Sequence, residues 1–384
     1  MNEDKASRYH RLRRRADVLG TVAGGVLLIG LLATGAHLRL REVGSIVGAI
    51  IGNGWEEPGT VLGTALALFL LLQLIELPFA FYQGYRLEHR YGLSTQRLGQ
   101  WWADHAKGAA LSGAFAIIAA SLVYWAMRST PTWWWALSAI AAVTALVGLV
   151  HLAPVLLLPL FYSFKPLDRP ALASRLLTLA DRARTRVVGI NEWVLSAHTR
   201  KANAALTGMG RTRRILLSDT LLASYSDDEI EVVLAHELSH QVHHDLWRGM
   251  ALQAAMIGAA FFAAHLALDA WAVRLRLGGI DDPAGLPLLL LVAGGCSTAW
   301  LPATNALSRA HERRADRYAL EITGHSEAFI SAMKRLAQQN LAEEFPSAMV
   351  RWFFYSHPPI RERVDAARAW RAEGTTPDGH ADVA

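Results

Sequence analysis

Apolar residues in this chain gather into runs that are too long and too continuous for one face of a soluble helix. Six stretches approach the roughly 20 residues that a helix needs to cross a bilayer: residues 18–38, 60–82, 108–127, 133–160, 250–273 and 286–307. The pattern changes between the fourth and fifth. Ser226-Asp227-Asp228-Glu229 has the form of a capping box, and Ile230, Val233, Leu234 and Leu238 then recur at helical spacing, so a helix is expected to start at Ser226. Its acidic first turn suits the positive end of the helix dipole. Runs at 187–195, 203–206 and 213–217 are the strand candidates, enough for a small sheet beside that helix. The pattern predicts a mostly α-helical polytopic membrane protein of about six transmembrane helices, with a polar unit carrying a small β-sheet.

Composition agrees: 52% of the 384 residues are hydrophobic and 18% are charged, unusual for a soluble domain. The charges also set an orientation. Lys5, Arg8, Arg11, Arg13, Arg14 and Arg15 precede the first stretch, and only Arg39 and Arg41 follow it. Arg86, Arg90, Arg97 and Lys107 come next, then Arg128 alone. The polar stretch 161–248 is rich in Arg, the link with Arg274 and Arg276 is poor, and the C-terminal part is rich again. This alternation is what the positive-inside rule requires of six spans with a cytoplasmic N-terminus, and it places both long polar stretches in the cytoplasm. The net charge of +5 is thus explained by topology, and no basic run interleaved with aromatics suggests nucleic acid. Arg13-Arg14-Arg15 is expected to meet anionic lipid headgroups, and Trp133, Trp134 and Trp135 to form an aromatic belt. The first stretch is too long for a signal-peptide core and reads as a retained span. An Ala- and Arg-rich composition is compatible with a bacterial cell membrane.

The one cysteine, Cys296, lies in the last stretch, so neither an internal disulfide nor a cysteine-based zinc site is available. The helix from Ser226, however, contains His236-Glu237-Leu238-Ser239-His240. Residues four apart project from one helix face, so His236 and His240 have the spacing that two imidazoles need to share a zinc ion. Glu237 is badly placed as a third ligand, but it can reach a water on the metal and act as general base. Zinc proteases need a third protein ligand. After the last span comes His311-Glu312-Arg313-Arg314-Ala315-Asp316. On a continuing helix Glu312 and Asp316 share a face, the first as ligand and the second accepting a hydrogen bond from a ligating imidazole. His311 is the alternative ligand. It points about 100° away from Glu312, so the two cannot both serve.

With these residues in place the chain resembles the type I CAAX prenyl protease family of integral-membrane zinc endopeptidases, and its catalytic half is also similar to the membrane protease HtpX. The resemblance implies a gluzincin-type zinc protease domain with one zinc on His236, His240 and Glu312, Glu237 as base and Asp316 supporting a ligand. Residues 201–208 resemble the family's Asn-Ala segment, which implies that Asn203 and Ala204 hold extended substrate; Ala205 stands where the family usually has an aromatic. Residues 213–222 match its strand and turn before the zinc helix, and His357-Pro358 with Arg363 its C-terminal motif, which implies oxyanion stabilisation or substrate binding by His357 and Arg363. Glu76-Leu77-Pro78 and residues 85–96 are similar to a segment between early spans, so the likeness runs from about the second span to Arg363 and leaves out the first 17 residues.

Two units are expected: residues 1–165 with four spans, and 166–384 with the protease elements and two inserted spans, followed by a disordered polar tail from Thr375. The expected partners are membrane lipids and a peptide or protein substrate, lipidated or not. The rival readings are an HtpX-like quality-control protease, an inactive scaffold, and a transporter suggested by Glu76 and His151.

Overall fold

The computed structural model describes residues 4–208, 210 and 213–375. Among the described residues, six helices are long and apolar enough to cross a membrane. The first, α1 (Lys5–Thr34), stops at Gly35, whose φ of 78° no other residue adopts as readily. There the expected 18–38 span divides, because a separate helix α2 (Ala36–Ile51) begins. This helix lies antiparallel to the start of α3 (Glu56–Phe81), and glycines line both faces of the contact. A Cβ on Gly44 would sit 2.2 Å from Thr64 Oγ1, and one on Gly63 2.8 Å from the Gly44 Cα. Small residues four apart on each helix let the backbones touch. α3 runs on through a π-helical segment (Tyr82–Leu87) into a last turn, α4 (Glu88–Arg90).

Next come α5 (Leu98–Ser129) and α6 (Trp134–Leu152). Past α6 the span is irregular, π-helical over Ala153–Leu157 and 3-10 over Leu158–Leu160, because Pro154 and Pro159 lack the N–H that an α-helix needs. Trp134 is fully buried against Phe261 and His265, while Trp133 is exposed. The expected three-tryptophan belt therefore fails: neighbours on a helix diverge by about 100° and cannot all face lipid.

The chain then leaves the membrane helices through β1 (Ser163–Pro166), α7 (Pro170–Arg182), β2 (Gly189–Val194), β3 (Ala204–Thr207) and β4 (Arg214–Ser218). The sheet order is β1-β2-β4-β3, with β2 and β4 parallel and both outer pairs antiparallel. Three of these strands overlap the expected runs, β3 and β4 each ending one residue beyond them; β1, four residues long, gave no alternating pattern to read. After the short α8 (Asp219–Ser224), α9 (Asp227–Val242) starts at Ser226 with both capping-box hydrogen bonds made. Its inner face joins Leu176, Ile215, Leu217 and Phe329 in one core.

α10 (Asp245–Trp271) and α11 (Leu286–Thr323) form an antiparallel membrane hairpin. Its turn is tied down by α2, through His37 to the Leu275 carbonyl (3.0 Å) and Arg41 to Asp282 (2.6 Å). α11 continues as one helix beyond the expected 286–307 span and out of the apolar region, so Glu312 and Asp316 lie on the continuing helix considered from the sequence. α12 (Ser326–Gln339), α13 (Ala348–Phe354) and α14 (Ile360–Thr375) close the structure. Thr375 ends α14, and the rest of the tail expected to be disordered lies outside the described residues.

Candidate metal centre and active site

Two helices meet at the site. α9 presents His236 and His240 from one face, and the extension of α11 presents Glu312 and, one turn on, Asp316. One side-chain atom each from His236, His240 and Glu312 lie within 4.8 Å of one another. His236 Nε2 is 3.3 Å from Glu312 Oε2, and His240 Nε2 is 3.6 Å from Glu312 Oε1. The buried Glu312 Oε2 has no hydrogen-bond partner, an expense that a bound cation would remove. His311 is not in this group; its Nε2 faces Asp245 at 3.7 Å.

Behind each imidazole stands a carboxylate. His236 Nδ1 is 2.9 Å from Asp316 and His240 Nδ1 is 3.0 Å from Asp245. Each carboxylate is in turn held by an arginine. Arg363 donates to both Asp316 oxygens (2.8 and 2.5 Å), and Arg314 donates to Asp245. With Nδ1 directed to a carboxylate, each ring turns Nε2 to the shared space. Asp245 was absent from the expected site, for it opens the next helix.

The electrostatics favour positive charge here. Burial works to lower the His236 pKa, but the neighbouring Asp316 and Glu312 carboxylates prevail and lift it to about 9. Burial works to raise Glu312, yet His236, His357 and Arg363 bring it down to about 2. Glu237 differs: burial raises its pKa, against the pull of the neighbouring histidines, which moves a carboxylate toward the range of a useful base.

Glu237 opens onto a cleft of about 570 Å³. Its walls include Asn203 and Ala204, the Tyr355–His357 run, Arg363, and His10, Arg13 and Arg14 of α1. Asn203 is fixed by exchange with Ser218: its N–H donates to Ser218 Oγ (2.9 Å) and its carbonyl accepts from the Ser218 N–H (3.0 Å). It leads into β3, one of the two edge strands, which pairs with β4 alone among the described residues. His357 Nε2 is 3.3 Å from Glu312 Oε1. Arg14 pairs with Glu343 (2.6 Å) and reaches the Tyr355 hydroxyl (3.1 Å), while Arg13 reaches the Tyr9 hydroxyl (3.1 Å). Two of the three arginines expected at lipid headgroups thus have protein partners, and Arg15 is exposed.

This geometry matches known proteins over its length. Residues 166–371 match the model of peptidase family M48, and residues 2–163 match the CAAX prenyl protease N-terminal model, described as five membrane helices. The second match takes the likeness back to residue 2, well before the second span. The metalloprotease YhfN of Bacillus subtilis is 33% identical over 94% of this chain and 84% of its own. CAAX prenyl protease 1 of Saccharomyces cerevisiae is 27% identical over the same shares. The crystal structure of S. mikatae Ste24p superposes with a TM-score of 0.83 at 21% identity, covering 94% of this chain and 88% of that one. The chain belongs to peptidase family M48 and is a membrane metalloprotease of the CAAX prenyl protease type.

Proposed function

We propose that this protein hydrolyses peptide bonds in C-terminal or membrane-associated peptides, with one zinc ion held by His236, His240 and Glu312. The observation that carries the reading is the meeting of these three residues, from two helices joined only through a membrane hairpin, beside Glu237 on an open cleft. Zinc in such a His/His/Glu set is a Lewis acid that makes water nucleophilic near neutral pH. Glu237 takes the proton of the attacking water and passes it to the leaving amine. His357, at the open side of Glu312, faces the charge that develops on the carbonyl oxygen. The free edge of β3, entered through Asn203 and Ala204, aligns an extended substrate by strand addition. Arg363 is engaged with Asp316, and that geometry supports positioning of His236 rather than direct contact with the oxyanion. Asp245 does the same service for His240.

We read residues 1–165 as the membrane unit and 166–384 as the protease unit, lying with the N-terminus in the cytoplasm. A complete set of donors argues against an inactive scaffold, and a transporter gives no account of it. The test compares wild type with Glu237→Gln in detergent, by zinc content and by cleavage of a quenched-fluorescence farnesylated CAAX peptide. Equal zinc near one equivalent with cleavage at least ~10²-fold lower in the variant is expected. Wild type that cuts only unfolded membrane proteins would favour quality control. Failure to bind zinc would overturn the ligand set.

A further inference from the structure

We propose that α13 is a bilayer-contact element that sets the rim of the protease cleft at the membrane surface. Ala348, Met349 and Trp352 lie at the i, i+1, i+4 positions of one face of α13, and Phe345 lies in the bend just before it. These apolar side chains point away from the protein: Phe345 is 63% exposed, Met349 73% and Trp352 52%. The inner side of the helix is fastened through its backbone. Asn305 donates to the Phe353 carbonyl (2.6 Å), and Arg309 donates to the carbonyls of Arg351 (3.1 Å) and Tyr355 (2.6 Å). A solvent-facing helix would show the opposite arrangement, with its apolar side inward.

The position of α13 names the occupant. Asn305 and Arg309 lie where α11 passes from its apolar stretch into charged sequence. Trp300 and Leu301, one to two turns earlier on α11, are exposed, so the apolar face of α13 continues a lipid-facing surface. Two more tryptophans mark this edge of the membrane. Trp247 stands exposed in the first turn of α10 and Trp102 in the second turn of α5. α5 starts on the protease side, where its Asp104 meets His198 at 3.4 Å. Exposed tryptophan at the ends of spans is the signature of the headgroup level. The Arg361 guanidinium lies over the Phe345 ring at 5.3 Å, a cation placed for the polar side of the same boundary. α13 runs directly into Tyr355, Ser356 and His357, which line the cleft. Anchoring α13 in lipid therefore anchors one lip of the active site.

The test uses the full chain with Cys296→Ser and Met349→Cys, labelled with an environment-sensitive fluorophore and reconstituted in phosphatidylcholine vesicles. Val188→Cys, exposed on the sheet unit, is the control. The expected result is blue-shifted emission at position 349. Quenching there by lipids brominated near the headgroup is expected to be several-fold above the control, with little quenching by aqueous iodide. Adding Trp352→Glu should restore iodide quenching. Iodide quenching at 349 equal to the control would overturn the proposal. So would shielding from both quenchers, which would assign the face to a second protein copy.

Discussion

The side chains that form the centre act in pairs, and the second member of each pair decides where the first one points. His240 illustrates this. Its Nδ1 meets Asp245 at 3.0 Å, and Asp245 is buried and held by Arg314. Asp245→Asn keeps the shape but loses the negative charge that orients and strengthens the imidazole as a donor. Zinc affinity, measured by competition with a chromogenic chelator, should fall ~10–100-fold. An unchanged affinity would make Asp245 a purely structural residue. The sequence made Asp316 legible because it shares a helix with Glu312, and helical arithmetic relates them. Asp245 was hidden for the complementary reason. It is five residues beyond His240, but the chain breaks at His244, whose φ of 56° is left-handed, so no periodicity connects the two positions. Arg314 was equally hidden, since its partner comes from another helix.

Elements follow the same logic, with local signals readable and contacts between elements not. The capping box at Ser226 fixed the start of α9 because all its parts lie within four residues. α2 was invisible as a separate helix. It has 16 residues, among them Arg39, Arg41 and Glu42, and so is too short and too charged to register as a span. Its place depends on glycines that matter only once α3 lies against them. Gly44→Val would drive a side chain into Thr64 Oγ1 and the Thr60 carbonyl, at 2.2 and 2.6 Å from the Cβ. Overpacking of this kind costs about 1–3 kcal/mol, so the thermal midpoint in detergent should fall, while Gly24→Val, with open space around its Cβ, should leave it nearly unchanged. The joint between β2 and α8 gives a pH prediction. Asp219 accepts from the N–H groups of Leu195 (2.9 Å), Ser196 (3.0 Å) and Thr220 (2.9 Å) and from the Ser196 hydroxyl (2.5 Å). Burial works to raise its pKa, but these donors prevail and lower it. A carboxylate depressed on folding contributes stability above its unfolded pKa of about 3.9, and that contribution is lost as pH falls through the folded value. Wild type should therefore be more stable than Asp219→Asn near pH 6, and the gap should close below about pH 4 in parallel unfolding experiments. A gap constant across that range would show that the carboxylate charge contributes nothing.

At the scale of the molecule, one helix joins the membrane to the chemistry. α11 has 38 residues, which rise about 57 Å, nearly twice the ~30 Å of a hydrocarbon core. Counted from Leu286, roughly 20 residues cross the core, and Glu312 follows about 9 Å farther on. The antiparallel partner α10 starts at Asp245, which meets Arg314, so both ends of the hairpin lie on one side with the zinc helix. α1 supplies the same side with its beginning, since His10 reaches the Leu341 carbonyl at 2.7 Å and Arg14 reaches Glu343. The relative placement of protease unit and N-terminus is thus built into the fold, and what the charges add is which side faces the cytoplasm. The linker between α5 and α6 carries no Lys or Arg after Arg128, whereas the protease side is rich in both. The positive-inside rule then predicts that Thr132→Cys, in a Cys296→Ser background, reacts with a membrane-impermeant maleimide in intact cells. Val188→Cys in the same background should react only after lysis. The reverse result would invert the orientation but keep the fold. Labelling of both positions in intact cells would put the α5–α6 linker and the sheet on one face, which a membrane-crossing α6 between them forbids.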